Sequence, residues 1–240
     1  MPQGPRRGPW WGTGAGPQGR GGLMSPPRSA AELLARFAVH GRYYEAVLDG
    51  HPCALRSHLE IVERGLDPQA RRADPADLVA VMMNPGASRP LADLDADGWA
   101  PALPDRTQYQ LMRLALHAQH AGWPIRHVRV INLSDLRTPK SADLLALLAT
   151  LADDRHSIFS PRRGDELARA LGPVHVPVLR AWGMAKALQP LARAAVMATS
   201  TRRVLGLTDD RLCYRHPLPQ RADLQQAWLE AMGRQVEQRA

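Results

Sequence analysis

Four short apolar runs, each stopped by a polar residue or a glycine, constrain this 240-residue chain more than any other feature. They are "DLVAVMMN" at 77–84, "HVRVINL" at 127–133, "VHVPVLRAWG" at 174–183 and "TRRVLGL" at 201–207. Runs this short and this rich in Val, Ile and Leu suit strands covered on both faces, as in a parallel sheet. The segments between them have helical spacing. "DRTQYQLMRLALHAQHAGW" starts at Asp105, a good N-cap, sets Leu111, Leu114, Ala115 and Ala118 on one face, and stops at Gly122. "SADLLALLATLADD" opens at Ser141, and "MAKALQPLARAAVMATS" follows Gly183, with Pro190 expected to kink or end it. This alternation predicts an α/β fold: a three-layer α/β/α domain around a central, mainly parallel four-stranded sheet joined by right-handed crossovers.

The flanks are less regular. "SAAELLARFAVHGRYYEAVL" reads as a helix opened by Ser29 or a neighbour, then a turn at Gly41 and an extended piece over 43–48. Residues 49–75 show no clear pattern. Near the C-terminus, Leu224, Ala227, Trp228 and Ala231 recur at helical spacing, so 221–240 is expected to pack as a helix on the outside of the domain. Residues 1–28 are dominated by Gly, Pro and Arg, contain no acid, and are expected to form a disordered tail before a single domain over 29–220.

Composition narrows the function classes. The net charge of +8 includes four arginines of the tail, which leaves +4 for the rest. That balance permits a nucleic-acid partner without requiring one. Cys53 and Cys213 are too few for a metal cluster and lack ligand spacing, so free thiols in a reducing, cytoplasmic setting are expected, with no metal and no cofactor. His117 and His120 stand three apart on a helix, but no third ligand accompanies them, and a solvated helix face is the simpler reading. No apolar stretch approaches a membrane span. The chain contains no P-loop, no Gly-x-Gly-x-x-Gly and no Gly-x-Ser-x-Gly, so nucleoside-triphosphatase, dinucleotide-cofactor and serine-hydrolase chemistry lose their usual support.

In an open α/β sheet ligands bind beyond the carboxyl ends of the strands, and the distinctive polar residues fall there. Asn84, Pro85 and Gly86 close the first run, Asn132 lies near the end of the second, Trp182 and Gly183 close the third, and His216 follows the fourth in "CYRHPLP". Each has a structural reading too: Asn-Pro-Gly is good turn chemistry, and Gly183 would let a helix approach the sheet. Their coincidence at one rim points to a site, bordered by the long Gly/Pro/Asp-rich loop of 86–104. Arg137, Lys140, Arg162 and Arg163 are expected in loops at the same end, where phosphate contacts would suit them.

The ordered set "MMNPGAS", "PDRTQYQLMRLA", "RVINLSDLRTP", "RAWG", "VLGLT" and "YRHPL", over about 77–219, resembles a prokaryotic domain family of unknown function. Its members read Asn-Pro-Ser-Thr-Ala-Asp, Asp-Pro-Thr, Val-Val-Asn-Leu with Arg-x-Thr-x-Pro, Ala-Trp-Gly and a closing His-Pro-Leu. Here Gly86 stands where Ser is usual and Arg106 where Pro is usual. That family in turn resembles, more distantly, the uracil-DNA glycosylase superfamily. The resemblance implies a hydrolase of nucleobase N-glycosidic bonds in which Asn84 positions water, Asn132 reads the base edge and His216 bonds the departing base. Asp105, Pro85, Gly86, Arg137, Trp182 and Gly183 would complete the substrate site, and Trp99 or Tyr109 would offer a stacking face. The implied partner is nucleic acid or a nucleotide. Two other readings stay open at this point: a noncatalytic binding module for nucleic acid or protein, and an enzyme acting on free nucleosides or nucleotides.

Overall fold

The structure, a computed structural model, describes residues 28–238. Apart from Arg28, the expected tail lies outside the described residues. Ser29 opens the first helix with a full capping box, its hydroxyl accepting from the Glu32 backbone while Glu32 returns to the Ser29 N–H. This helix, α1 (Ala30–Arg36), leads into a long antiparallel hairpin of β1 (Phe37–Leu48) and β2 (His51–Glu63), turned by Asp49 and Gly50 at positive φ. A single turn, α2 (Pro68–Arg71), precedes β3 (Leu78–Met82), and the loop beyond it carries β4 (Trp99–Pro101). Then come α3 (Arg106–His120), β5 (His127–Asn132), α4 (Ser141–Leu148), α5 (Gly164–Leu171), β6 (Val178–Arg180), α6 (Gln189–Ala198) and β7 (Val204–Leu205). A small hairpin, β8 (Thr208–Asp210) with β9 (Cys213–Tyr214), and the terminal α7 (Ala222–Glu237) complete the chain.

The expected parallel strands form as β5-β3-β6-β7, but they are only part of the sheet. The expectation of four strands is corrected to seven, in the order β4-β1-β2-β5-β3-β6-β7, because the β1–β2 hairpin adds antiparallel strands along β5 and β4 pairs on its far side. Gly41 lies inside β1 rather than in a turn. Pro190 starts α6 instead of breaking it, since the first turn of a helix needs no N–H there. The observed architecture is a mixed α/β sheet with helices on both faces.

Alternation along the strands sorts the core into two layers. On one face, called face A, Leu78, Ala80, Met82, Val128 and Val130 pack with Leu33 of α1, Leu111 and Leu114 of α3, and Trp228 and Met232 of α7. On the other, face B, Val79, Val81, Ile131 and Val178 pack with Ala170 and Leu171 of α5 and Ala192 and Ala195 of α6. Among the described residues no helix is long and apolar enough to cross a membrane.

Candidate functional site

Asn132, the last residue of β5, continues the Val128–Val130 alternation and so faces layer A. It is 0% exposed, and neither its amide nitrogen nor its amide oxygen has a hydrogen-bond partner. A buried amide left in this state forfeits about 1–3 kcal/mol for each unpaired group, which makes it an exception that calls for a ligand or an ordered water.

Asn84 follows β3, Asn132's parallel neighbour. Its side-chain Nδ2 donates to the Thr138 hydroxyl at 2.9 Å and to the carbonyls of Thr138 and Leu136 at 3.1 and 3.2 Å. These three oxygens come from the loop containing "RTP" and fix the amide plane. Oδ1 therefore has a set direction, and it accepts no bond from a described residue. Pro85 is buried, and Gly86 supplies the positive φ of 62° that turns the chain.

His216 is half-buried in the loop after β9. Its Nδ1 accepts the Leu218 N–H at 3.1 Å, which sets the proton on Nε2, and burial pulls its pKa below the usual histidine value. A neutral imidazole with an outward N–H donor results. Gly183, at φ 99°, brings this loop to the sheet by donating to the Tyr214 carbonyl at 2.6 Å. His216 lines a cavity of about 410 Å³ with Gly183, Met184, Leu207 and Trp228, which Asn84 and Asn132 do not line. Asp105 links the two parts of the rim: as N-cap of α3 it accepts from the Thr107 and Gln108 backbones, and its charge acts on both His216 and Arg56.

Arg56 is the residue that sequence reasoning missed. A bulge at Ser57 shifts the β1–β2 register, so Arg42 opposes His58 while Tyr43 opposes Arg56. The shift swaps the faces of β2 and aims Arg56 into face A beside Tyr43, where it is 1% exposed with Nε and Nη1 unbonded. Arg137 lies over the Tyr43 ring, its guanidinium 5.3 Å from the ring centre, and is held by Nε donating to the Ser88 carbonyl at 2.7 Å. The Tyr43 hydroxyl meets Ser88 Oγ at 3.0 Å. Sequence alone gave no signal for Arg56, because only the bulge decides its face.

Other expected residues fall elsewhere. Trp182 is corrected from rim to core: its ring lies in layer B against Tyr214, and its indole N–H donates to the Leu212 carbonyl. Trp99 is on face B with Arg72 over its ring at 4.7 Å, and Tyr109 packs against the layer A core. His117 pairs with Glu237 and His120 with the Leu116 carbonyl, and among the described residues no three His, Cys, Asp or Glu side chains gather as a metal would need.

Arg163 lies beyond the carboxyl end of β5 and on face B. There it bonds Asp135 at 2.6 Å and Glu166, whose carboxylate also faces His58 at 3.7 Å. Nearby, Glu60 takes the Arg129 guanidinium at 2.7 Å and the His127 imidazole. Cavities of about 480 and 730 Å³ flank this network and share Arg42, Asp97 and Glu166. Burial pushes His58 down to about 4 and Asp135 up to about 6, the latter against the pull of Arg163 and the Tyr44 hydroxyl.

Compared with known protein families, curated proteins and solved structures, the chain has no match.

Proposed function

We propose that the face A rim recognises a nucleobase and that the protein acts on its N-glycosidic bond, in the manner of a uracil-DNA-glycosylase-like hydrolase. The observation that carries this reading is the Asn132 amide, sealed from solvent with donor and acceptor both unpaired. An amide offers a donor and an acceptor side by side, the complement of a nucleobase edge. A base drawn out of its stack into the rim would satisfy both atoms at once.

The remaining roles follow from chemistry. Breaking the bond between C1′ and the base nitrogen leaves the electron pair on the base, and a neutral N–H donor stabilises that charge without taking the proton away from another group. His216 has this form, with Nε2 the free donor. Water then adds to the sugar carbon and gives up its proton to the departed base anion, and Asn84 Oδ1, its direction fixed by the Thr138 loop, would hold that water. An amide orients water without acting as a base, so the rate would rest on positioning.

A second reading, a noncatalytic nucleobase-binding module, is favoured by one feature. The acid that links the two parts of the rim, Asp105, is engaged as a helix cap. The test that separates the two is incubation with end-labelled single- and double-stranded oligonucleotides carrying uracil, hypoxanthine or a mismatch, scoring alkali-sensitive abasic sites. Base release by the wild type that is lost in both Asn84→Ala and His216→Ala supports hydrolysis. Binding lost in Asn132→Leu without any release supports the binding module.

A further inference from the structure

Two arginines at the rim lack an ion-pair partner among the described residues. Arg56 opposes Tyr43 in the β1–β2 pairing and Arg137 stacks on the Tyr43 ring, close enough for each charge to act on the other, and neither forms an ion pair with a described residue. Their nearest acids are committed. Asp105 caps α3, and Asp135 takes Arg163 and the Tyr44 hydroxyl on the opposite face of the sheet. Arg137 uses only Nε, leaving both terminal nitrogens of its fork unbonded.

A guanidinium stays charged in a protein, so a buried one without a partner is costly unless an anion joins it. Elsewhere in this molecule buried arginines are not left so. Arg129 holds Glu60 and the carbonyls of Arg71, Arg72 and Asp74, and Arg180 donates to the Thr199 and Tyr214 hydroxyls. The exception at Arg56 coincides with the exception at Asn132. β2 and β5 are antiparallel neighbours, the Arg56 N–H donates to the Asp135 carbonyl at 2.9 Å, and both side chains face layer A at the same end of the sheet.

We infer that Arg56 and Arg137 form a subsite for a phosphate, so that the rim takes a phosphorylated nucleotide rather than a free base or nucleoside. The inference rests on the nucleobase reading for the identity of the rest of the ligand. Two forks of positive charge match a phosphate monoester, which carries close to two negative charges, whereas a single carboxylate would leave one arginine uncompensated. The depth of Arg56 favours a terminal phosphate entering end-on over a diester that must continue on both sides.

The test is equilibrium binding at constant ionic strength with inorganic phosphate, a set of nucleoside 5′-monophosphates, the matching nucleosides, and a short oligonucleotide without a terminal phosphate. Monophosphates are expected to bind about tenfold or more tighter than their nucleosides. Arg137→Gln, a change at the half-buried member of the pair, and Arg56→Met should each bring them down to the nucleoside level. Nucleosides binding as tightly as monophosphates, or a phosphate advantage that survives in both variants, would overturn the subsite and leave the base reading standing. Phosphate-dependent binding with no preference among bases would support the subsite and remove the base-reading role of Asn132. An oligonucleotide that outcompetes the monophosphate in wild type but not in Arg137→Gln would assign the same subsite to a backbone phosphate.

Discussion

The two faces of the antiparallel half of the sheet bury polar side chains in opposite ways. On face B, Glu60 receives His127 and Arg129, Glu166 receives both ends of the Arg163 fork, and Asp135 receives Arg163 and Tyr44. In and beside that network four buried atoms lack a bond, His127 Nδ1, Asp135 Oδ1, Arg72 Nε and His40 Nδ1, and the first three belong to side chains bonded through another atom. On face A, Asn132 is wholly unbonded and Arg56 lacks partners at two of its nitrogens, although both are as deeply buried. Burial alone therefore does not distinguish a structural network from a site. Saturation does: a satisfied network holds its elements rigid, while an unsatisfied group is stabilised only when something else arrives.

The contrast is broken most severely by Glu60→Leu. It leaves Arg129 buried without its carboxylate, and urea denaturation should show a loss of about 3–5 kcal/mol. Asn84→Ala removes the donor that three oxygens share and should cost about 1–2 kcal/mol, read as a lower midpoint, along with any base release. On face A, Asn132→Leu should raise stability by about 1–3 kcal/mol, since it removes two unpaired buried groups and breaks no protein bond, yet abolish nucleobase binding. A loss of several kcal/mol there would mean that Asn132 has a structural partner.

Acid sharpens the comparison further. His58 has its folded pKa lowered to about 4 from 6.5, so its contribution to stability is lost as pH falls through that range. Asp135 has its folded pKa raised from 3.8 to about 6, so the folded state binds a proton there that the unfolded state does not, and stability is gained as pH falls from about 6 to 4. The two slopes oppose each other. Compared with wild type between pH 6 and 4, Asp135→Asn should lose more stability on acidification and His58→Gln should lose less. Parallel slopes in all three proteins would show that burial shifts neither group.

The parallel half of this fold is legible in the sequence because β3, β5 and β6 are covered on both faces: β3 reads as an unbroken apolar run, and β5 and β6 as Val/Ile/Leu-rich runs interrupted by His127, Arg129, Asn132 and Arg180. Asp105 and Ser29 are legible as caps for the same local reason. The hairpin is not. Eight consecutive buried positions, Leu55 to Val62, include Arg56, Ser57, His58 and Glu60, so neither an alternating nor an apolar pattern appears. Those charges are buried because tertiary partners meet them, which no local rule reports. The same holds at the rim. Asn132 is visible as an amide ending an apolar run, but Arg56 reaches that face only through the Ser57 bulge, and Trp182 looks like a rim residue until the Leu212 carbonyl is seen to hold it in the core.

The central claim is that the face A rim is kept unsatisfied for a ligand, and the most direct measurement is the unfolding free energy of Arg56→Met without any ligand present. Replacing an unpaired buried guanidinium with an apolar side chain of similar length should raise stability by about 1–4 kcal/mol while removing phosphate binding. A fall of about 3 kcal/mol or more would mean that Arg56 holds the folded protein together, as Arg129 does, and would contradict the account.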